Sequence, residues 1–310
     1  MPFYILKRVL IAVPTLLGLA LITFLLLRML PGDPALGLVG ERADPKAVEA
    51  IRKSLGQDRP LPVQFWGYLE LLAHGNLGRS YYTHREVMED VLQKFPNTLR
   101  LALSAMLVAT LAGILLGVFS AVSRGSYWEK VFSGASLAGI SLPVFWVGLI
   151  FMLLFAFMLP WLPPSGMGDG ALVYLILPAA TLGLNSAAYI ARITRMSLIE
   201  VLGSQYIMTA RAKGLSPFKV VAKHALRNAL IPVITLIAID FGSYLNGSVL
   251  TETIFGWDGL GRYAMEGIMK RDYPVILGTV LIGSAVFVFF NMLADLAYAY
   301  IDPRIRYGKR

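Results

Sequence analysis

The sequence predicts an all-α polytopic membrane protein that crosses the bilayer six times, and three observations lead there. Of 310 residues, 56% are hydrophobic and 15% charged, with a mean hydropathy of +0.65; ordinary soluble domains carry roughly 25% charged residues, so this composition suits lipid as solvent. Apolar runs close to the roughly 20 residues that span a hydrocarbon core recur six times along the chain. Lysine and arginine, finally, gather in alternate connecting segments, as the positive-inside rule requires of a multi-pass chain.

The first element is the run Val9–Leu27, preceded by Lys7 and Arg8. Its opening resembles a secretory signal, but no A-x-A-like cleavage site follows, and Arg28 with Pro31-Gly32-Asp33-Pro34 ends it. About 19 apolar residues is a spanning length, so residues 1–30 read as an uncleaved first helix with a cytoplasmic amino terminus.

Residues 31–97 are of different material, with eight Lys/Arg and nine Asp/Glu among Pro and Gly. Helix-like apolar spacing around Val48–Leu55 and Val63–Leu72, with Trp66, Tyr68, Leu69, Tyr81 and Tyr82, favours a small folded insertion on the outer side over a solvated linker. Residues 98–310 then form a five-helix core, from the runs Leu101–Val122, Val131–Pro160, Leu172–Ala191, Ala229–Leu250 and Tyr273–Ile301. Val131–Pro160 holds no charge and would extend about 45 Å as one helix, so it must tilt, kink at Pro143 or leave the membrane.

Charge sets the orientation. Lys7, Arg8, Arg124, Lys130, Arg192, Arg195, Arg211, Lys213, Lys219, Lys223, Arg227, Arg304, Arg306, Lys309 and Arg310 fall on one side, against Arg262, Lys270 and Arg271 in the short loops of the other. Both termini are therefore expected in the cytoplasm. The net charge of +9 is absorbed by this asymmetry and does not call for nucleic acid. Membrane lipid is the partner it implies.

The cytoplasmic segment 201–228 holds a short basic and apolar helix, Gln205-Tyr206-Ile207-Met208-Thr209-Ala210-Arg211-Ala212-Lys213-Gly214. Gly214 suits the left-handed residue that ends a helix, and Ser216 with Pro217 suits the cap and first turn of a second, Lys219–Asn228. A helix, a break and a helix of this composition suits docking in another protein's groove; the plain alternative is a loop whose charge only fixes orientation.

Here the sequence becomes specific. Tyr206–Pro232, reading YIMTARAKGLSPFKVVAKHALRNALIP, resembles the EAA coupling loop of ATP-binding-cassette (ABC) importer permeases, in their peptide and nickel branch. Leu30-Pro31-Gly32-Asp33-Pro34, Gly78-Arg79-Ser80, Pro96-Asn97-Thr98, Ser141-Leu142-Pro143, Trp161-Leu162-Pro163, Ile176-Leu177-Pro178, Phe255 to Arg262, Arg271-Asp272-Tyr273-Pro274 and Asp302 to Tyr307 continue the likeness in order along the chain. The resemblance implies the type I importer permease fold and a second homologous permease as pore partner. It further implies two cytoplasmic ATP-binding subunits that hold ATP and Mg, and an extracytoplasmic solute-binding protein. Gln205, Tyr206, Thr209, Ala210, Arg211, Ala212, Lys213, Gly214, His224, Arg227 and Asn228 would then couple to the ATPases. A dipeptide is the first expectation for cargo, with oligopeptide, glutathione or a nickel chelate as alternatives. Two departures stand out: Gln205 where an acidic residue is common, and Asp240 where an uncharged one is.

Catalysis and cofactors are not expected in this chain. No G-x-x-x-x-G-K-[ST] run occurs, cysteine is absent, and His74, His84 and His224 lack metal-ligand spacing. An intramembrane enzyme using Asp240 and Asp295 is disfavoured by their depths, since Asp240 lies about 18 Å into its helix while Asp295 is near the end of the sixth. An ion-coupled secondary transporter would also explain an intramembrane carboxylate. Asp240, Ser243 and Gly247 share i, i+3, i+7 spacing and Asn246 adjoins them, so this face either lines a translocation path or seals a helix contact. On the outer side, Tyr81, Trp257 and Arg262 are the candidates for docking the binding protein.

Overall fold

The computed structural model describes residues 2–29, 34–39 and 44–301; the side chains of 2–9, Pro34, Gly37, Val39, Asn246, Gly247 and 294–301 lie outside the described residues, as do Leu30–Asp33 and Asp302–Tyr307. Among the described residues the chain is helical, with one isolated bridge between Arg79 and Glu86. Among the described residues four helices are long and apolar enough to cross a membrane without interruption: Leu10–Met29 within α1 (Pro2–Met29), α5 (Val87–Val122), α8 (Val173–Leu202) and Tyr273–Leu293 within α15 (Tyr273–Ile301). Two bent pairs raise this to six when each pair is one span.

One pair is α6 (Tyr127–Ser141) with α7 (Val144–Phe151) and its π-helical continuation Met152–Met158, bent by 108°. The cause is Leu142-Pro143: a residue before proline is driven from helical geometry, and Leu142 sits at φ −82°, ψ 132°. The other pair joins Pro217–Ala229 to α12 (Ile231–Gly247) through a 52° bend at Leu230, just before Pro232. It contains α10 (Pro217–Lys219), a π-helical stretch Val220–Ala225 and α11 (Leu226–Ala229).

The chain divides into two compact units. The first holds residues 1–98 and 258–288. Its short helices α2 (Pro34–Val39), α3 (Pro45–Ser54) and α4 (Leu61–Ala73) lie between α1 and α5 in sequence. Phe24 of α1 packs on Phe65 of α4 at 5.1 Å between ring centroids, and Ala20, Leu27, Tyr68, Tyr273, Ile276 and Leu277 close one core around them. Leu77, Val87, Val91, Tyr263 and Val275 form a second, which includes Leu260 of α14 (Leu260–Lys270). The segment 65–81 therefore does not stand alone, because Phe65, Tyr68, Leu72, Leu77 and Tyr81 pack against the first helix and residues 260–277. Helix α5 begins at Val87, within the 31–97 segment, and carries Pro96 inside it.

The second unit, residues 99–257 and 289–310, is arranged around α8. Buried Ala179, Thr181, Gly183, Ala187 and Ala191 give α8 a small-residue surface, which lets neighbouring helix backbones approach closely in lipid. Gly113 and Gly117 of α5 meet it, as a Cβ on either would fall 2.6 Å from Ile190 or the Ala191 carbonyl. α8 also runs on to Leu202, well past the Ala191 expected from hydropathy, because its polar last turns are still held by packing of Thr194 and Leu198. The unit includes α9 (Gln205–Ala212) and α13 (Val249–Ile254).

Candidate functional site

The coupling segment is built on α9. Ile207 and Ala210, one turn apart, are buried and pack with Leu198, Val220, Ala225 and Ala229. That fixes one face of the helix inward and leaves Gln205, Tyr206, Met208, Thr209, Arg211, Ala212 and Lys213 exposed. Gly214 ends the helix at φ 78°, its N–H donating to the Arg211 carbonyl at 2.9 Å. Ser216 takes the cap position with Pro217 first in the next helix, although the Ser216 side chain makes no capping bond.

The two halves of the segment are tied by side chains. Asn228 Nδ2 donates to the Tyr206 hydroxyl at 2.7 Å, and that hydroxyl donates to the His224 carbonyl at 3.4 Å. Tyr206, His224 and Asn228 therefore come together, whereas Arg227 is exposed on its own turn. Sequence reasoning passed over Phe218, which is 79% exposed beside Pro217; its apolar ring in a basic loop was the available signal.

In α12, Asp240 is half-buried toward α8, where Ser186 lies alongside both its carboxyl and the Tyr244 hydroxyl. Neither Asp240 Oδ2 nor the Tyr244 hydroxyl closes a well-formed hydrogen bond. Ser243 is exposed, its hydroxyl donating to the Ile239 carbonyl at 3.3 Å. The face expected to unite Asp240 and Ser243 is thus split between a helix seam and the surface, since i+3 positions sit about 60° apart around a helix. The side chains of Asn246 and Gly247 lie outside the described residues, as does that of Asp295.

The outer candidates separate too. Trp257 is 1% exposed and is not a surface residue. Its backbone N–H closes a turn on the Glu252 carbonyl at 2.8 Å, and the ring turns inward with Phe255, where burying aromatic area is favourable. Tyr81 is half-buried, its N–H donating to Asp272 Oδ1 at 3.2 Å, and burial pushes its hydroxyl up to about 12. Arg262 is at the surface and pairs with Glu266 one turn on, at 3.0 Å.

Among the described residues no group of His, Cys, Asp or Glu has the geometry of a metal site. The arrangement offers an exposed, internally braced helix and a polar cluster inside a helix bundle.

Two family models match: "Binding-protein-dependent transport system inner membrane component" over residues 113–307, and the N-terminal part of the membrane component of binding-protein-dependent transport systems over residues 1–102. A di/tripeptide transport system permease protein, DppB, of Pseudomonas aeruginosa is 42% identical over 333 residues, covering 99% of each chain. The glutathione transport system permease protein GsiC of Salmonella typhi is 42% identical over 304 residues, 98% of this chain and 99% of that one. Among solved structures, an inward-facing MetNI methionine ABC transporter aligns with TM-score 0.59 at 18% identity, over 69% of this chain and 97% of that one.

Proposed function

This chain belongs to the family of binding-protein-dependent transport system inner membrane components, and from that premise we propose that it passes dipeptides and tripeptides inward across a bacterial inner membrane. It is a membrane-spanning permease subunit of an ABC importer, and not itself an enzyme. The proposed assembly pairs it with a second permease, two cytoplasmic ATP-binding subunits that hold ATP and Mg, and an extracytoplasmic binding protein. What supports peptide as cargo is the near full-length match to a di/tripeptide permease.

In this reading α9 sits in a cleft of an ATPase, presenting Gln205, Tyr206, Thr209, Arg211 and Lys213. Gly214 allows the sharp exit that keeps α9 a separate lever, and the Tyr206–Asn228 bond carries its movement into Pro217–Ala229 and on to α12. Arg227 and Phe218 extend the contact. The outer surface that meets the binding protein is formed by the 31–97 insertion, Tyr81 included, and by Arg262. Asp240 attracts the α-ammonium of a passing peptide. A glutathione importer is the second reading, favoured by the equal identity to GsiC.

The test is uptake of labelled dipeptide, tripeptide and glutathione by the whole importer in proteoliposomes with its binding protein. ATP-dependent dipeptide uptake is expected. Preference for glutathione selects the second reading, and uptake indifferent to ATP refutes both. Gly214→Val should assemble but lose most coupled uptake: its Cβ meets nothing within 4 Å, yet φ 78° strains a β-branched residue by about 1–3 kcal/mol.

A further inference from the structure

At the end of α1, two buried hydrogen-bond donors that line one cavity, Arg28 Nη1 and the Tyr68 hydroxyl, have no partner among the described residues. Arg28 gives Nε and Nη2 to Gln64 Oε1 at 3.0 and 2.8 Å. Gln64 is itself oriented by donating Nε2 to the Arg59 carbonyl at 2.7 Å and the Gln57 carbonyl at 3.3 Å. The guanidinium carbon lies 3.7 Å from the Phe24 ring centroid and 5.5 Å from that of Tyr273. The group is therefore held on one edge by a neutral acceptor and on one face by aromatic rings. Its remaining edge, Nη1, is buried and unpaired among the described residues, as is the Tyr68 hydroxyl.

Arg28 and Tyr68 line a cavity of about 300 Å³ together with Arg59 and Tyr81. Among the described residues no Asp or Glu lines it. Asp272, which bears on Tyr81, is already engaged by the Ser80 hydroxyl at 2.6 Å and the Tyr81 N–H at 3.2 Å. Burial pushes the Tyr68 hydroxyl up to about 12, so it stays a neutral donor through the physiological range. Buried donors are ordinarily satisfied, and a guanidinium edge beside a phenol, with a second arginine in the lining and no carboxylate among the described lining residues, forms a complement to negative oxygen.

We propose that this cavity binds an oxyanion, with Arg28 Nη1 and the Tyr68 hydroxyl as donors and Arg59 as a second positive charge. The oxyanion is the phosphate of a membrane phospholipid or a small soluble phosphate or carboxylate. The surroundings favour the lipid. Val63 and Leu71 line the cavity and are 50% and 43% exposed, and Trp66 on the same helix is 71% exposed. An exposed apolar surface bearing a tryptophan at the end of a span is the composition of a membrane interface, where basic pockets take lipid headgroups.

The experiment uses the assembled importer, stripped of lipid in detergent, with thermal unfolding and retained phosphorus measured. The additions are phosphatidylglycerol, diacylglycerol of the same chains, inorganic phosphate and acetate. Phosphatidylglycerol should raise the unfolding midpoint and be retained after washing, and diacylglycerol should do neither. Stabilisation by phosphate or acetate alone assigns the site to soluble anions. Arg28→Gln should weaken the anion by about tenfold or more and Tyr68→Phe by about fivefold, the latter keeping its ring in place. If neither lipid nor soluble anion affects the wild type, or Tyr68→Phe binds both as tightly as the wild type, the site is refuted even where Arg28→Gln fails to fold.

Discussion

Asp240 places an ionisable group inside a membrane helix, where a charge facing lipid costs at least about 2.5–3.5 kcal/mol. Its seat beside Ser186 and Tyr244 is polar, but Oδ2 has no close partner, so charge and hydrogen bonding can be separated by substitution. Asp240→Asn keeps the shape and the contact to Ser186 while removing the charge. If the carboxylate draws in a peptide's ammonium, the importer should assemble normally and take up free-amine peptides several-fold more slowly, with N-acetylated peptides unaffected. Unchanged uptake would remove the charge from transport, and loss of assembly would make the residue a helix seal. Residue-scale reading of the sequence succeeded where backbone geometry dictates residue type. Gly214 was legible because only a left-handed exit explains a glycine between two helical stretches, and it has φ 78°. Trp257 was not: an aromatic among glycines reads as surface, while its burial depends on packing partners far away in the sequence.

Helix α8 illustrates what a membrane protein does in place of a hydrophobic core. Lipid is as apolar as leucine, so close contact between backbones, rather than exclusion of water, holds the helices together. A Cβ at Gly183 would fall 2.6 Å from the Ala105 carbonyl oxygen, a backbone atom that cannot turn aside. Gly183→Ala should therefore destabilise the chain by about 1–3 kcal/mol, as overpacked sites do. Gly134→Ala in α6 is the control: its Cβ meets nothing within 4 Å, and in a helix the change should be neutral or stabilising by up to about 1 kcal/mol. Unfolding midpoints of the two variants in one detergent decide it, and equal midpoints would show that α5 and α8 are loosely packed. Among the elements, long apolar runs were legible from hydropathy alone. Their ends were not, because α5 starts at Val87 and α8 runs to Leu202 on polar turns that tertiary contacts stabilise. Pro143 was visible as a kink, yet nothing in the sequence set its angle at 108°.

At the scale of the whole molecule that angle decides the topology. If α6 and α7 together cross the bilayer, the loop Trp161–Gly170 and the 31–97 insertion share one side and the coupling segment lies on the other. If the pair is re-entrant, the loop returns to the side of Arg124 and Lys130. Charge favours a crossing, since residues 161–170 contain Asp169 and no Lys or Arg. The natural sequence has no cysteine, so single cysteines can be introduced at the exposed positions Asp58, Ser165 and Lys213 and probed with a membrane-impermeant maleimide. Asp58→Cys and Ser165→Cys should react in intact cells, and Lys213→Cys only after permeabilisation. Labelling of Ser165→Cys that requires permeabilisation while Asp58→Cys does not would make the bent pair re-entrant. The number of spans would then be odd, and the carboxyl terminus would leave the cytoplasm. Reaction of Lys213→Cys in intact cells would overturn the orientation on which ATPase docking at α9 depends.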